Sequence, residues 1–306
     1  MPTYQHKKKK KGRASSVMVF LLVFVLFLAI FGGVCLWAVI QNRRPASAAS
    51  SGSSEDSGPQ FTEADVRWLF VAAQDGDEPR GFVAVRADPG AGRIHAVAVP
   101  KETEVADGTA LTRLDALFQK GGVTAAQDAV EDLLGVTFSH YVSMTYANVE
   151  KLLQYFDSSL QFTLTEDLDY REGNYFIKMS SGRYTLTPKQ AVDILRYPNW
   201  QHKGLQQQAD IHAEILAALV NQYMTPARAD KLEADFSKIA DLAKTDIRIS
   251  HFTGYQESLR ALAAANNGDV CTAVSLEGRY VGSGDDKRFA ADGAAEQLRG
   301  LFGETH

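Results

Sequence analysis

The sequence predicts an α/β sandwich standing behind a single membrane-spanning helix. Three observations carry that class. Between residues 61 and 306, β-branched and aromatic runs alternate with segments of helical periodicity. Val17 to Ile40 holds 24 residues without a charge, enough to cross a hydrocarbon core of about 30 Å. The composition, 45% hydrophobic and 23% charged, excludes a disordered, collagen-like or polytopic chain.

Residues 1–16 form a basic tail, since Lys7 to Lys11 and Arg13 crowd one side of the apolar run while Arg43 and Arg44 stand on the other. The positive-inside rule then keeps the N-terminus in the cytoplasm, residues 17–40 in the bilayer and the rest outside the cell membrane. A cleavable signal peptide ending near Ala46-Ser47-Ala48 is the alternative, but its apolar region would run only about 7 to 15 residues. Residues 45–306 carry 24 Lys/Arg against 37 Asp/Glu, a net of −13, which argues against nucleic acid as a partner. Cys35 and Cys271 give no disulfide framework.

Residues 41–60, rich in Ser, Ala and Gly, read as a flexible linker, and 61–306 as one large domain. Strands are expected at Val66–Ala73, Phe82–Arg86 and Ile94–Val99, separated by turn clusters at Asp75-Gly76-Asp77 and Asp88-Pro89-Gly90. A helix follows over Val123–Leu134, with Gly135 at its C-cap, then a strand over His140–Met144 and a helix over Ala147–Phe156. Thr187-Pro188-Lys189-Gln190 is a capping box with proline at the first helical position, starting a helix that ends near Arg196. A longer helix spans Gln206–Tyr223, Thr225-Pro226 begins another toward Ile239, and Thr272–Leu276 and Ala291–Phe302 close the chain as strand and helix.

No GxGxxG, P-loop, HExxH or GxSxG element occurs, and the seven histidines lack ligand spacing, so common nucleotide, zinc and serine-hydrolase chemistries have no support. The acidic run 165–169 lacks the glycine and terminal glutamate of an EF-hand loop and reads as a solvated turn.

Several segments in order resemble the LytR-CpsA-Psr family. Ala98-Val99-Pro100-Lys101-Glu102-Thr103 stands where that family has Ser-Ile-Pro-Arg-Asp-Thr, and Arg113-Leu114-Asp115-Ala116 through Gly121-Gly122 is similar to the stretch that follows. Glu131 to Gly135, Tyr141 to Met144, Leu168-Asp169-Tyr170, Ala191 to Arg196 and Glu277 to Tyr280 continue the likeness, over about residues 65 to 303. The resemblance implies a mixed central sheet with helices on both faces. It also implies an extracytoplasmic phosphotransferase that moves a glycopolymer from a polyprenyl pyrophosphate carrier to peptidoglycan. Such chemistry calls for a cation cluster, carboxylates for Mg2+ and an apolar cavity for the lipid.

Carried over residue by residue, the implied site is depleted. The metal-binding aspartate expected before the second strand falls on Gly81, the Arg-Asp pair becomes Lys101-Glu102, the family's Arg-x-Arg reads Arg196-Tyr197-Pro198, and its Arg-x-x-Arg-Gln reads Lys203-Gly204-Leu205-Gln206-Gln207. Lys101, Glu102 and Arg196 are the implied catalytic positions; Lys101, Arg196, Lys203, Gln206 and Gln207 would hold the pyrophosphate and lipid; Glu102, Asp75 and Asp115 would be the metal ligands. Taken singly, Arg196 could serve a helix dipole, Lys101 a strand end, and Lys203 with Gln207 a solvated helix start. Their joint placement points to a pocket.

The expected function is therefore a membrane-anchored envelope protein that binds polyprenyl-phosphate-linked glycan or wall polymer with weakened or lost catalysis. Its protein partners are unspecified. An active Mg2+-dependent transferase and a purely structural module are the alternatives. Restoring a carboxylate with Gly81→Asp is expected to tighten metal binding if the pocket is otherwise intact.

Overall fold

Alternation at period two builds the centre of the molecule. In β1 (Arg67–Asp75), Trp68, Phe70 and Ala72 point to one side, joined there by Phe82 and Ala84 of β2 (Glu78–Asp88) and by Val97 and Val99 of β3 (Arg93–Val99). The intervening Val83, Ala96 and Ala98 are also buried, on the opposite face. A sheet buried on both sides needs cover on both sides. The computed structural model describes residues 60–156 and 159–303. The basic tail, the expected span 17–40 and the expected linker up to residue 59 lie outside them. Among the described residues no helix is long and apolar enough to cross a membrane.

After β3 come a hairpin of β4 (Glu104–Asp107) and β5 (Ala110–Arg113), then α1 (Leu114–Leu134), β6 (His140–Thr145) and α2 (Tyr146–Tyr155). Four short strands follow, β7 (Leu160–Leu164), β8 (Leu168–Glu172), β9 (Tyr175–Met179) and β10 (Gly182–Leu186), pairing as β7 with β10 and β8 with β9. The C-terminal part holds α3 (Pro188–Arg196), α4 (Leu205–Tyr223), α5 (Leu232–Leu242), β11 (Lys244–Thr245), α6 (Ile249–Ala265), β12 (Cys271–Ser275), the pair β13 (Arg279–Val281) and β14 (Arg288–Ala290), and α7 (Ala294–Phe302).

The central sheet is mixed, in the order β11-β6-β1-β2-β3-β12. β2 runs antiparallel to β1 and β3, while β6 is parallel to β1 and β12 parallel to β3. The carboxyl ends of β1, β3, β6 and β12 therefore share one edge. α1 and α7 cover one face, with Leu114, Val123, Val130, Leu134 and Leu298 in that core. α4 and α6 cover the other, where the small side chains Ala209, Ala213 and Ala217 let α4 lie close to the strands. The sandwich with helices on both faces is thus present.

α4 has a second buried stripe. Ile211 and Ile215 turn from the sheet into another cluster with Tyr146, Leu160, Leu164, Leu186 and Ile194, which fixes α2, α3 and the β7/β10 pair against it. The Thr187 cap forms as expected, its hydroxyl accepting from the Gln190 amide at 3.2 Å while the Gln190 side chain accepts from the Thr187 amide at 2.9 Å.

Other boundaries differ from expectation. α1 begins at Leu114 rather than Val123, because Gly122 at φ +74° lets two helical segments abut across a kink. The helix placed after Thr225-Pro226 starts as a 3-10 turn over Pro226–Lys231 and becomes α-helical only at Leu232. The β4/β5, β7/β10, β8/β9 and β13/β14 pairs, β11 and α6 are additions.

Candidate functional site

The shared strand edge gathers most of the residues singled out above. Asp75 ends β1, Gly81 lies near the start of the antiparallel β2, Lys101 and Glu102 follow β3, and Ser275 ends β12. Arg196 is the last residue of α3, and Gln206, Gln207 and Asp210 lie in the first turns of α4. Open α/β sheets take ligands at the carboxyl ends of their strands.

The charges there are matched to one another. Arg196 meets Asp75 in a parallel fork, Nε to Oδ2 at 3.0 Å and Nη2 to Oδ1 at 2.8 Å, which favours its charged form. The same guanidinium lies 5.5 Å from the centroid of the Tyr146 ring. Lys101 Nζ and Arg113 Nη2 stand 3.8 and 3.9 Å from Glu102 Oε1, and Arg113 forks onto Asp115, with Nε 3.0 Å from Oδ1. Burial pushes the Glu102 carboxyl above the usual carboxylate range, with Lys101 and Arg113 pulling it back.

Lys203 and Gln206 converge on Asp210, the first at 3.1 Å and the second at 3.0 Å, and the Ser275 hydroxyl donates to the same carboxylate at 2.8 Å. Asp210 is only 3% exposed, so these three donors replace its water. Gln207 is buried too but turns the other way, donating to Glu214 at 3.3 Å. The implied pyrophosphate cations Arg196, Lys101 and Lys203 thus each have a carboxylate beside them. They are not the free cluster that the sequence led one to expect, because Asp75 and Asp210 on other elements pack against Arg196 and Lys203 and the neighbouring Glu102 lies beside Lys101.

Gly81 is not an empty slot. A Cβ placed on it would stand 2.4 to 2.5 Å from Cγ, Cδ2 and Nε2 of His212, closer than real contacts allow. The His212 ring therefore occupies the ground where the carboxylate implied by the resemblance would begin. It is locked there: Nδ1 lies 3.0 Å from the Gln208 carbonyl and Nε2 lies 2.9 Å from the Tyr146 hydroxyl. The carbonyl can only accept, so the neutral ring carries its proton on Nδ1, and Nε2 accepts from Tyr146. That hydroxyl shares its proton with the Leu195 carbonyl at 3.1 Å. Burial drives the His212 pKa down to about 4, so the ring is neutral near pH 7. The expectation that Gly81→Asp would restore a metal ligand is corrected accordingly, since the side chain has nowhere to go.

The donor set does not fit Mg2+. That ion demands near-octahedral oxygen ligation. Asp75 is committed to Arg196, Asp115 to Arg113, and Glu102 sits with two cations of its own. Among the described residues no three metal-capable side chains come together.

Asp210, His212, Tyr146 and Ser275 belong to this edge and were not singled out from the sequence. Asp210 had a signal, since it follows Gln206 by four residues and so shares its helix face. His212 had none, because its role depends on a helix packing over a glycine in a distant strand.

Comparison with known proteins is consistent with this architecture. The LytR_cpsA_psr family model matches residues 81–282. A Bacillus subtilis protein named polyisoprenyl-teichoic acid–peptidoglycan teichoic acid transferase TagV is 23% identical over 204 residues, covering 62% of this chain and 51% of its own length. The chain therefore spans about half of that curated relative. The Enterococcus faecalis transferase TagU is 18% identical over 248 residues, covering 78% of this chain and 80% of its own length. The crystal structure of B. subtilis TagV superposes with a TM-score of 0.63 at 17% identity, covering 79% of this chain and 98% of that one. A Eubacterium siraeum structure reaches a TM-score of 0.70 at 12% identity, covering 83% of this chain and 99% of that one.

Proposed function

The chain belongs to the LytR_cpsA_psr family, and from that premise we propose that it is a membrane-anchored, extracytoplasmic envelope protein that binds polyprenyl-phosphate-linked glycan or wall polymer without transferring it. The carrying observation is the His212 ring seated over Gly81, where a metal-ligating carboxylate would need room. Its curated relatives are named for transfer of polyisoprenyl-linked teichoic acid to peptidoglycan, which supports the substrate class. The paired Arg196 and Lys203 supply charge that a phosphate can share, since both side chains are partly exposed.

The test uses the full chain in detergent with a polyprenyl pyrophosphate-linked glycan, peptidoglycan and Mg2+. Binding without product is expected, and weaker binding by about 1 to 3 kcal/mol when Arg196 and Lys203 are both replaced by alanine. Robust turnover abolished by chelator and by Glu102→Ala would overturn the non-transferring reading. Topology is tested separately, by protease added to protoplasts, which should digest the C-terminal domain.

A structural interaction module is the second reading, favoured by the tight cluster of Tyr146, Leu160, Leu168, Leu186 and Ile194 behind Arg196, all at most 1% exposed. Failure of the full chain to bind any polyprenyl phosphate would promote it.

A further inference from the structure

On the far side of α4 from the sheet, the β7/β10 pair leaves a cleft of about 440 Å³, within the size range of small-ligand sites. Gln161, Thr163 and Thr165 line it from β7 and its end, Arg183 from β10, and Glu214 and Ala218 from α4, with Phe162 also bordering it. Thr163 and Arg183 are cross-strand partners, so a hydroxyl and a guanidinium stand side by side on the same face. Glu214 and Ala218 are one helical turn apart, which puts the carboxyl and a small gap on the opposite wall.

These groups differ from those at the strand edge in having capacity left. Arg183 makes no ion pair and the Thr163 and Thr165 hydroxyls make no hydrogen bond among the described residues. Gln161 gives its amide to Thr185 at 2.7 Å, leaving its carbonyl oxygen as an acceptor. Among the described residues Glu214 has one hydrogen bond, from Gln207 at 3.3 Å. Burial raises the Glu214 carboxyl above its ordinary range, with the Gln207 bond opposing.

We propose that this cleft is a binding site for a hydroxyl-rich, uncharged oligosaccharide segment. Sugar hydroxyls both donate and accept, and a wall of threonine, amide, guanidinium and carboxyl groups offers both. An isoprenoid would bury these polar groups unmatched. A bare anion would meet Glu214 opposite Arg183. The kind of polymer that reaches the cleft rests on the function proposed above, whereas the cleft's own chemistry does not.

The experiment titrates the full chain in detergent with two lipid-free probes, a neutral hexose hexasaccharide and a neutral N-acetylhexosamine hexasaccharide, and with inorganic phosphate as a third. At least one hexasaccharide should bind, about three- to tenfold more weakly to Thr163→Val and to Arg183→Ala. Arg183→Lys should recover part of the loss, and unchanged thermal unfolding should show that the variants remain folded. Absence of hexasaccharide binding, equal binding by both variants, or full competition by inorganic phosphate would each overturn the assignment. Because the probes carry neither lipid nor pyrophosphate, a negative result leaves the strand-edge reading standing, and loss of polyprenyl phosphate binding leaves this one standing.

Discussion

The strand edge and the β7/β10 cleft lie on two sides of the same helix and have opposite electrostatic character. At the edge, Arg196, Arg113 and Lys203 are each held by a carboxylate, and His212 is bonded through both ring nitrogens. At the cleft, Arg183 and the two threonine hydroxyls are free of partners among the described residues. Matched charge helps hold a particular fold, and a ligand that shares it must compete with the internal pair. Unmatched polar groups contribute little to folding and keep their capacity for a ligand. Substitutions at the edge should therefore cost stability as well as phosphate binding, and substitutions in the cleft should cost binding alone.

The sharpest way to break that contrast is at Gly81. Gly81→Asp forces a side chain into the His212 ring and should destabilise by about 3 kcal/mol or more, with Gly81→Ala lower in the range of about 1 to 3 kcal/mol. Combining Gly81→Ala with His212→Ala should return part of the loss, seen as non-additivity in denaturant unfolding. Strict additivity would mean that the ring does not fill this space.

Acid should act on the same contact. The His212 pKa is lowered from 6.5 to about 4 in the folded state, so between those values the unfolded chain binds the proton more readily. The His212 contribution is complete above pH 6.5 and is lost as pH falls toward 4, by roughly 3 kcal/mol in all. Glu102 works in the opposite sense at the lower end, because its raised pKa favours the protonated folded form as pH falls. Unfolding measured from pH 7.5 to 4 should show the decline in the wild type and a flatter profile in His212→Phe.

Smaller effects are expected at the ion pairs. Lys203→Ala leaves the buried Asp210 with only Gln206 and Ser275 and should cost about 1 to 2 kcal/mol. Arg196→Ala, at a pair about one-third exposed, should cost about 1 kcal/mol or less. Arg183→Ala should change stability by less than about 0.5 kcal/mol. A larger drop at Arg183 than at Lys203 would reverse the distinction between the two regions.

Much of the fold was legible because its signals are local. The alternation in β1 to β3 and the Thr187-Pro188 cap can be read from a few neighbouring residues, and both are present. Leu160, Phe162 and Leu164 also alternate, but a strand of five residues acquires its identity from its partner β10 and from α4. α6 was hidden because its buried residues Phe252, Leu262 and Ala263 are too sparse to make a stripe. At the site, residue types were legible and pairings were not. Arg196 and Lys203 could be singled out along the chain, whereas Asp75 and Asp210 reach them through tertiary packing.

The register of β12 beside β3 bears on how the chain is made. Ile94 pairs with Cys271 and Ala98 with Ser275, so the outer margin of β3 stays open until the chain has emerged beyond Ser275. An uncovered strand margin is a template for pairing with other chains, and closing so long a loop is slow. During synthesis the nascent protein must pass through a sticky interval that ends only when the last strand of the central sheet arrives. Chains stopped short of Cys271 should accumulate as aggregates, and those extended through Ser275 should escape that fate.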